Sequence, residues 1–473
     1  MKRILIVCCA VFIALATRAQ SFSWTNGAGT TFDLTITDAT KKCAEITGAN
    51  SVTGTTEFTV PGTVTYNGNT YTVTAIAGRI TSVNGQVYSN GLKKIILSEG
   101  IKILKHYSIT LAFDLEEVVF PTTLEIIESE AFSYSGLKHV DLSRTKLRVI
   151  GRFAFNSNVG TIESIKFPQT LRRLREGALN NQILKNMVLP AQLDTLSYLT
   201  FQGLADLEEI TFERPMPALL YMENPLNPSE GPFDPFRDSP NLQKIYVPVD
   251  AAKAYMDAPW WALHGSKYRE QLTIGATGYT SYYLENENFK VPTGCTAYII
   301  TGITPSGKHG APSTAHAQAF GAGKIIPKQT GFILQGTPSS TIEYQANVTG
   351  TEENVTGNLL VGTATEQEFS SASYKYYILS NSGDQGLGFY KQGTRDGASI
   401  KLKPHRAGLR LPAGIAPAKG IIIDFDEAEP AVTAIDTPTA DMPKKDIIYN
   451  LQGQRVARAE HGIYIINGKK VIK

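Results

Sequence analysis

The sequence predicts a mainly β fold: a parallel-strand solenoid, then a β-sandwich-like domain, then a short β tail. Three observations carry this. First, a six-residue pattern with apolar residues at positions one, four and six returns seven times, starting at Leu92, Leu115, Leu137, Ile162, Leu184, Leu207 and Leu242. The starts lie 23, 22, 25, 22, 23 and 35 residues apart, and a self-similar period of this size stacks one coil per copy. Second, from residue 271 short β-prone runs alternate with Gly, Pro, Asn and Ser at spacings typical of a sandwich or barrel. Third, the last residues, 446–473, read as further short strands.

Residues 1–19 have the form of a secretory signal: Lys2 and Arg3, an apolar stretch from Ile4 to Ala16, then Thr17-Arg18-Ala19. The apolar run is too short to span a bilayer, and no later segment reaches the ~20 residues a membrane helix needs. The mature chain is thus expected to be exported without an integral membrane segment. Residues 20–76 read as an N-terminal β cap. Within it, Thr31–Thr37 alternates as a strand, and Asn67-Gly68 turns a hairpin. Val60-Pro61 leaves its strand as the later coils do, so the cap should close the open apolar end of the solenoid.

Residues 77–270 form the solenoid. Position one and the two following apolar positions face inward, while the variable positions point outward. Pro121, Pro168, Pro190 and Pro248 directly follow the last apolar residue, and proline without an N–H suits a strand exit. Later apolar sets such as Leu124/Ile127/Phe132 and Leu147/Ile150/Phe155 should fill the convex half of each coil. Position two alternates in sign, Lys93, Glu116, Lys138, Glu163, Lys185, Glu208. In an in-register stack ~4.8 Å apart these side chains would form a self-neutralised ladder. The outward positions Lys94, Glu117, His139, Lys166, Glu209 and Tyr246 are the candidate binding surface. An insertion between Pro215 and Pro240 breaks the period. Ala251–Met256 suits a short helix, with Trp260-Trp261 covering the last coil.

Residues 271–427 form the sandwich-like domain, with strands expected at Tyr279–Glu285, Thr296–Ile303, Gly331–Gln335, Thr341–Asn347, Tyr374–Ser380, Leu387–Lys391, Ser399–Lys403 and Lys419–Asp426. Residues 428–445 are an Ala/Pro/Thr/Asp linker, and 446–473 are a C-terminal segment whose removal should leave the larger cores closed.

Composition narrows the function. The chain has 45 basic and 43 acidic residues; without residues 1–19 the count is 42 to 43, which argues against a nucleic-acid partner. Cys43 and Cys295 are the cysteines beyond the signal, too few for a disulfide framework. The sequence Gly302 to Lys308 imitates a phosphate loop, but His309 stands where the magnesium-binding hydroxyl should be. His309 and His316 lack nearby ligands for a metal site, and Asp424, Asp426 and Glu427 read as a solvated strand edge. No catalytic motif is present, and no cofactor is expected.

The repeats resemble the BspA-like leucine-rich repeat proteins of bacterial surfaces. The likeness is carried by Val118–Phe132 (VVFPTTLEIIESEAF), Val149–Phe155 (VIGRFAF), the cap's TYNGNTYTVTAI and the closing IYVPVDAAKAY. Ser98, Ser143 and Glu213 depart from the pattern where proline is usual, and the glycine after the isoleucine is kept only at Gly151. The tail, IIYNLQGQRVARAEHGIYIINGKKVIK, is similar to C-terminal sorting segments of secreted Bacteroidetes proteins. The resemblance implies a secreted or surface protein of a Gram-negative bacterium that binds an extracellular or host protein, or a glycan, without catalysis. The alternative is a glycan-binding or glycan-active protein with residues 271–427 as its working domain. An exposed aromatic platform there would favour it.

Overall fold

The structure, a computed structural model, describes residues 20–86, 91–157, 160–197, 199–221, 233–307, 311–383, 386–415, 420–430, 448–450, 463–466 and 469–472. The secretory signal, most of the linker and much of the tail lie outside the described residues. The chain divides after Pro430 into two units.

In the first unit each repeat supplies one short strand to a front ladder: Lys94–Leu97, Glu117–Val119, His139–Asp141, Ser164–Lys166, Asn186–Leu189, Glu209–Phe212 and Lys244–Tyr246. The paired strands are parallel and in register, with Glu117 opposite Lys94, Ser164 opposite His139, and Lys244 opposite Glu209. Positions one and four are buried in every coil, from Leu92 and Ile95 to Leu242 and Ile245. The cap strand Glu57–Val60 pairs in parallel with Lys94–Leu97 and so forms the first rung. The ladder is interrupted twice: Glu117–Val119 does not pair with His139–Asp141, nor Ser164–Lys166 with Asn186–Leu189. Both breaks fall at the 22-residue steps of the repeat.

The charge ladder expected at position two is corrected by this geometry. Among the described residues it closes as an ion pair only between Lys93 and Glu116, at 2.8 Å. Across the first break Lys138 still draws the Glu116 carboxyl down through space, but no ion pair closes there. At the remaining rungs the long exposed side chains gain little over solvation by pairing.

The convex half contains a second parallel ladder, which the sequence reading did not anticipate. Ala75–Ile76 leads to Ile103–Leu104, Ile126–Ile127, Val149–Ile150, Arg173–Leu174, Thr195–Ser197 and Leu219–Tyr221. Sign alternation appears beside it as well: Glu125 pairs with Lys102 at 3.7 Å and with Arg148 at 2.9 Å, and Arg172 pairs with Asp194 at 3.6 Å. The five coils from Ile103–Leu104 to Thr195–Ser197 leave this ladder through a left-handed residue, Tyr107, Glu130, Phe153, Gly177 or Leu199; four of the five carry a side chain where glycine would be unstrained. Between the ladders Phe132 and Phe155 stack with centroids 5.1 Å apart.

The cap is antiparallel, Ser21–Thr25 on Thr31–Asp38 on Cys43–Ser51. Its hairpin turns at Asn67 and Gly68, both with positive φ, between paired Tyr66 and Asn69. At the other end the helix Ala252–Asp257 and Trp261 close the core. Trp261 sits edge-on to Phe212 at 5.3 Å and to Tyr255 at 5.4 Å. Trp260 is instead 39% exposed, so only one tryptophan of the pair acts as the lid. Phe236, from the end of the insertion, stacks on Phe201; residues 222–232 lie outside the described residues.

The front ladder does not stop with the repeats. Tyr268–Thr273 adds to Lys244–Tyr246 in parallel, and Thr341–Gln345 then adds in antiparallel fashion. A single strand therefore spans residue 270, where the sequence places the domain boundary. Beyond it nine strands form one curled sheet. Their order is Tyr279–Tyr282, Phe332–Gln335, Thr296–Thr304, Ser313–Phe320, Ile421–Pro430, Gly386–Tyr390, Tyr374–Gly383, Arg406–Pro412 and Leu360–Thr363. The sheet folds over a shared core in which Ile300, Ala315 and Ile333 meet Tyr377, Phe389 and Leu409. The Arg406 guanidinium donates to Thr280 Oγ1 (2.9 Å) and to the Ser281 carbonyl (3.1 Å), linking the first strand to the eighth. Cys43 is half-buried and Cys295 buried; both are free thiols. The second unit holds an antiparallel sheet of Ile448–Asn450, Ile463–Ile466 and Lys469–Ile472.

Candidate binding surface

The first break in the front ladder opens a groove of about 880 Å³. One wall carries Glu99, Glu116 and Glu117, and the other Lys138, His139, Asp141 and Arg144. The floor is apolar: Val119 is 40% exposed, and Phe120 beside it is half-buried. Outward alternation puts Val119 there, because its neighbour Val118 takes the core position.

Most charges around the groove are held in place. Lys94 reaches Glu117 at 3.3 Å. The Glu116 carboxyl is drawn below its usual range by the hydrogen bond from Lys93, whose ammonium is raised in return. Glu99 accepts from the Thr122 N–H (2.8 Å) and hydroxyl (3.0 Å), and the backbone bond lowers its carboxyl. The Ser143 hydroxyl donates to Asp141 at 2.6 Å and lowers it too, with Lys166 3.9 Å away. His139 Nδ1 lies 2.9 Å from Ser164 Oγ. Four of the six candidate residues, Lys94, Glu117, His139 and Lys166, therefore share one stretch of the face.

Glu209 and Tyr246 lie elsewhere, at the seam with the β-domain. Lys244 bridges Glu209 (3.5 Å) and Glu343 (3.0 Å), and the Tyr246 hydroxyl donates to Glu343 at 2.6 Å. Burial would raise the Glu343 carboxyl, but hydrogen bonds from Tyr246 and Lys244 outweigh it and hold the group low. Lys244 is raised, chiefly by its bond to Glu343, and Tyr246 is raised, chiefly by burial.

The sequence reading missed Val119, Asp141 and Arg144. Reading position five down the coils gives Ile96, Val119, Asp141, Lys166, Val188, Thr211 and Tyr246; the two valines at outward positions were the available signal, and Val188 is 49% exposed. Lys308 and His309 of the phosphate-loop imitation lie outside the described residues, and His316 contacts Thr304 Oγ1 at 2.6 Å. Among the described residues no group of three or more His, Cys, Asp or Glu is placed to hold a metal ion, and no helix is long and apolar enough to cross a membrane.

Parallel strands stacked one per coil around an apolar column define a leucine-rich repeat solenoid, a scaffold that presents an extended surface for binding. Residues 40–219 are a BspA-type leucine-rich repeat region: residues 40–132, 62–183 and 102–219 match the BspA type leucine rich repeat region, in six copies. No curated protein matches it in sequence. Solved structures that it resembles include a leucine rich cell surface protein from Faecalibacterium prausnitzii A2-165, with 16% identity over 49% of this chain and 71% of that one and a TM-score of 0.32. A leucine rich repeat protein of T. pallidum matches at 15% identity over 37% of this chain and 65% of that one, TM-score 0.25. A leucine-rich repeat protein from Bacteroides ovatus ATCC 8483 matches at 15% over 46% and 69%, TM-score 0.21. The assignment rests on the repeat match and not on these likenesses.

Proposed function

We propose that this chain is an exported, non-catalytic, adhesin-like protein. It engages an extracellular or host protein through the front face of its solenoid, at the outer surface of a Gram-negative bacterium or after release. The observation that carries this reading is the groove over Val119. It combines an exposed apolar floor with rims of fixed, mixed charge, which suits burial of a protein side chain between polar contacts. Lys94, Glu117, His139 and Lys166 belong to this surface; Glu209 and Tyr246 are spent on the seam. The glycan alternative has no observation in its favour, since among the described residues of the β-domain no large aromatic side chain is exposed.

The test is an array of extracellular matrix proteins and glycans probed with the full chain and with Val119→Asp. Wild-type binding to a protein ligand, lost in a variant with unchanged melting temperature, supports the reading. Equal binding by the variant, or binding to glycans alone, overturns it.

A further inference from the structure

Two acids are buried where the solenoid meets the β-domain. Glu270, on the strand shared by both, is fully buried, and Glu287, from the loop after Tyr279–Tyr282, is 1% exposed. Glu270 accepts four hydrogen bonds: Asp250 N–H at 2.9 Å and Tyr344 hydroxyl at 2.6 Å on Oε2, Ala251 N–H at 3.2 Å and Ala252 N–H at 3.3 Å on Oε1. Glu287 Oε1 accepts the Lys253 N–H at 2.8 Å, and the Asn347 N–H also faces the carboxyl, while the buried Oε2 makes no hydrogen bond of ordinary geometry. The two carboxyls lie within hydrogen-bond reach of each other. Among the described residues, no Lys or Arg forms an ion pair with either.

We infer that Glu270 and Glu287 share one proton as an acid pair that clamps the end of the solenoid to the β-domain, and that the clamp tightens as the surroundings acidify. The donors decide which member keeps the charge. Glu270 is saturated with donors and holds it, while the proton sits on Glu287 Oε2 and is donated to Glu270. This gives the orphaned oxygen its role. Residues 250–253 of the solenoid's end are thereby tied to a loop of the β-domain.

Burial pushes both groups up, Glu287 to about 6 and Glu270 well above the usual carboxylate range. A folded value above the unfolded 4.5 means that the folded state binds more protons, so this contribution is complete at low pH and is lost as pH rises through about 6. The neighbouring groups do not reproduce this pattern as a set. Asp250 accepts the Glu285 and Asn286 N–H groups and is raised by burial, which gives the same sign. His405 is lowered by burial, which gives the opposite sign. Tyr282 and Tyr344, linked hydroxyl to hydroxyl at 2.8 Å, are pushed upward and stay neutral. Arg406 is bonded to Thr280.

Glu287→Gln separates the pair from these neighbours, because its Oε1 can still accept from Lys253 while its Nε2 donates permanently to Glu270. Amide hydrogen exchange of residues 250–253 in the full chain, corrected for intrinsic rates, should show protection falling on the order of ten-fold between pH 5 and 8. In the variant, protection should stay near its pH 5 level. Equal pH slopes in the two proteins overturn the inference. Infrared spectra of the wild type at pH 5 give an independent reading: a buried protonated carboxyl band, distinct from those of solvated carboxyls and lost by pH 8, is expected, and its absence refutes the shared proton even if the variant fails to fold.

Discussion

Replacing Ile165 with aspartate tests the register on which the front face depends. Ile165 lies opposite Val140 in the ladder, is 6% exposed, and belongs to the continuous apolar core of the solenoid. Removing its side chain from that column forfeits about 1.5–3 kcal/mol of burial. The new carboxylate finds no cation there and must stay protonated at pH 7. That costs roughly 4 kcal/mol, about three units above an ordinary Asp value near 3.9 at ~1.36 kcal/mol per unit. The sum, about 6 kcal/mol, is comparable to the whole stability of many domains. Thermal melting followed by far-ultraviolet circular dichroism should therefore fall by at least about 10 °C or show no folded baseline. Part of the loss should return near pH 4, where protonation becomes cheap. Lys166→Ala next to it, on an exposed side chain, should stay within about 0.5 kcal/mol of wild type. An Ile165→Asp protein that melts like the wild type would refute the inward assignment of position four.

Three further outcomes are expected. At Gly151 a Cβ would stand 2.4 Å from the Glu128 carbonyl carbon of the preceding coil, so Gly151→Ala should lower the urea midpoint by the equivalent of about 1–3 kcal/mol; an unchanged midpoint would deny the close approach of coils. Glu116→Lys replaces the partner of Lys93 with a like charge and should lower the melting temperature at low salt, with recovery in high salt; a salt-independent change would show that these side chains do not interact. Ending the chain after Pro430, where the two units divide, should leave the melting of the remainder unchanged. If the removed segment directs sorting, the shortened protein should accumulate in the periplasm, and an unaltered distribution between cell fractions eliminates that role.

Much of the solenoid was legible because its physics is local and repeated. An apolar residue at positions one and four of every coil faces the same column, so seven copies state the same fact seven times, and the Pro exits mark the phase. The hairpin at Asn67-Gly68 was equally readable, since two successive positive φ angles are easiest for that pair. All eight strands expected between 271 and 427 exist, with shifted ends. The ones missed were those with weak local signals. Ser313–Phe320 (STAHAQAF) alternates with alanine in place of large apolar residues, and the back-ladder strands are mostly two residues long, too short to show a period.

What only the tertiary structure decided depends on pairing between distant segments. The two breaks in the front ladder, and hence the groove over Val119, come from which coils hydrogen-bond to which, and each coil's own pattern is the same on either side of a break. The spending of Tyr246 on Glu343, 97 residues away, follows from a strand that carries the repeat sheet into the next domain. The meeting of Glu270 with Glu287 follows from the same join. No residue near either acid announces it, because burial and the absence of a cation are properties of the packed neighbourhood. The sequence by itself determined the inward column, which needs only an apolar residue at a fixed interval. The outward face needed the fold, because an exposed side chain is defined by what lies beside it in space.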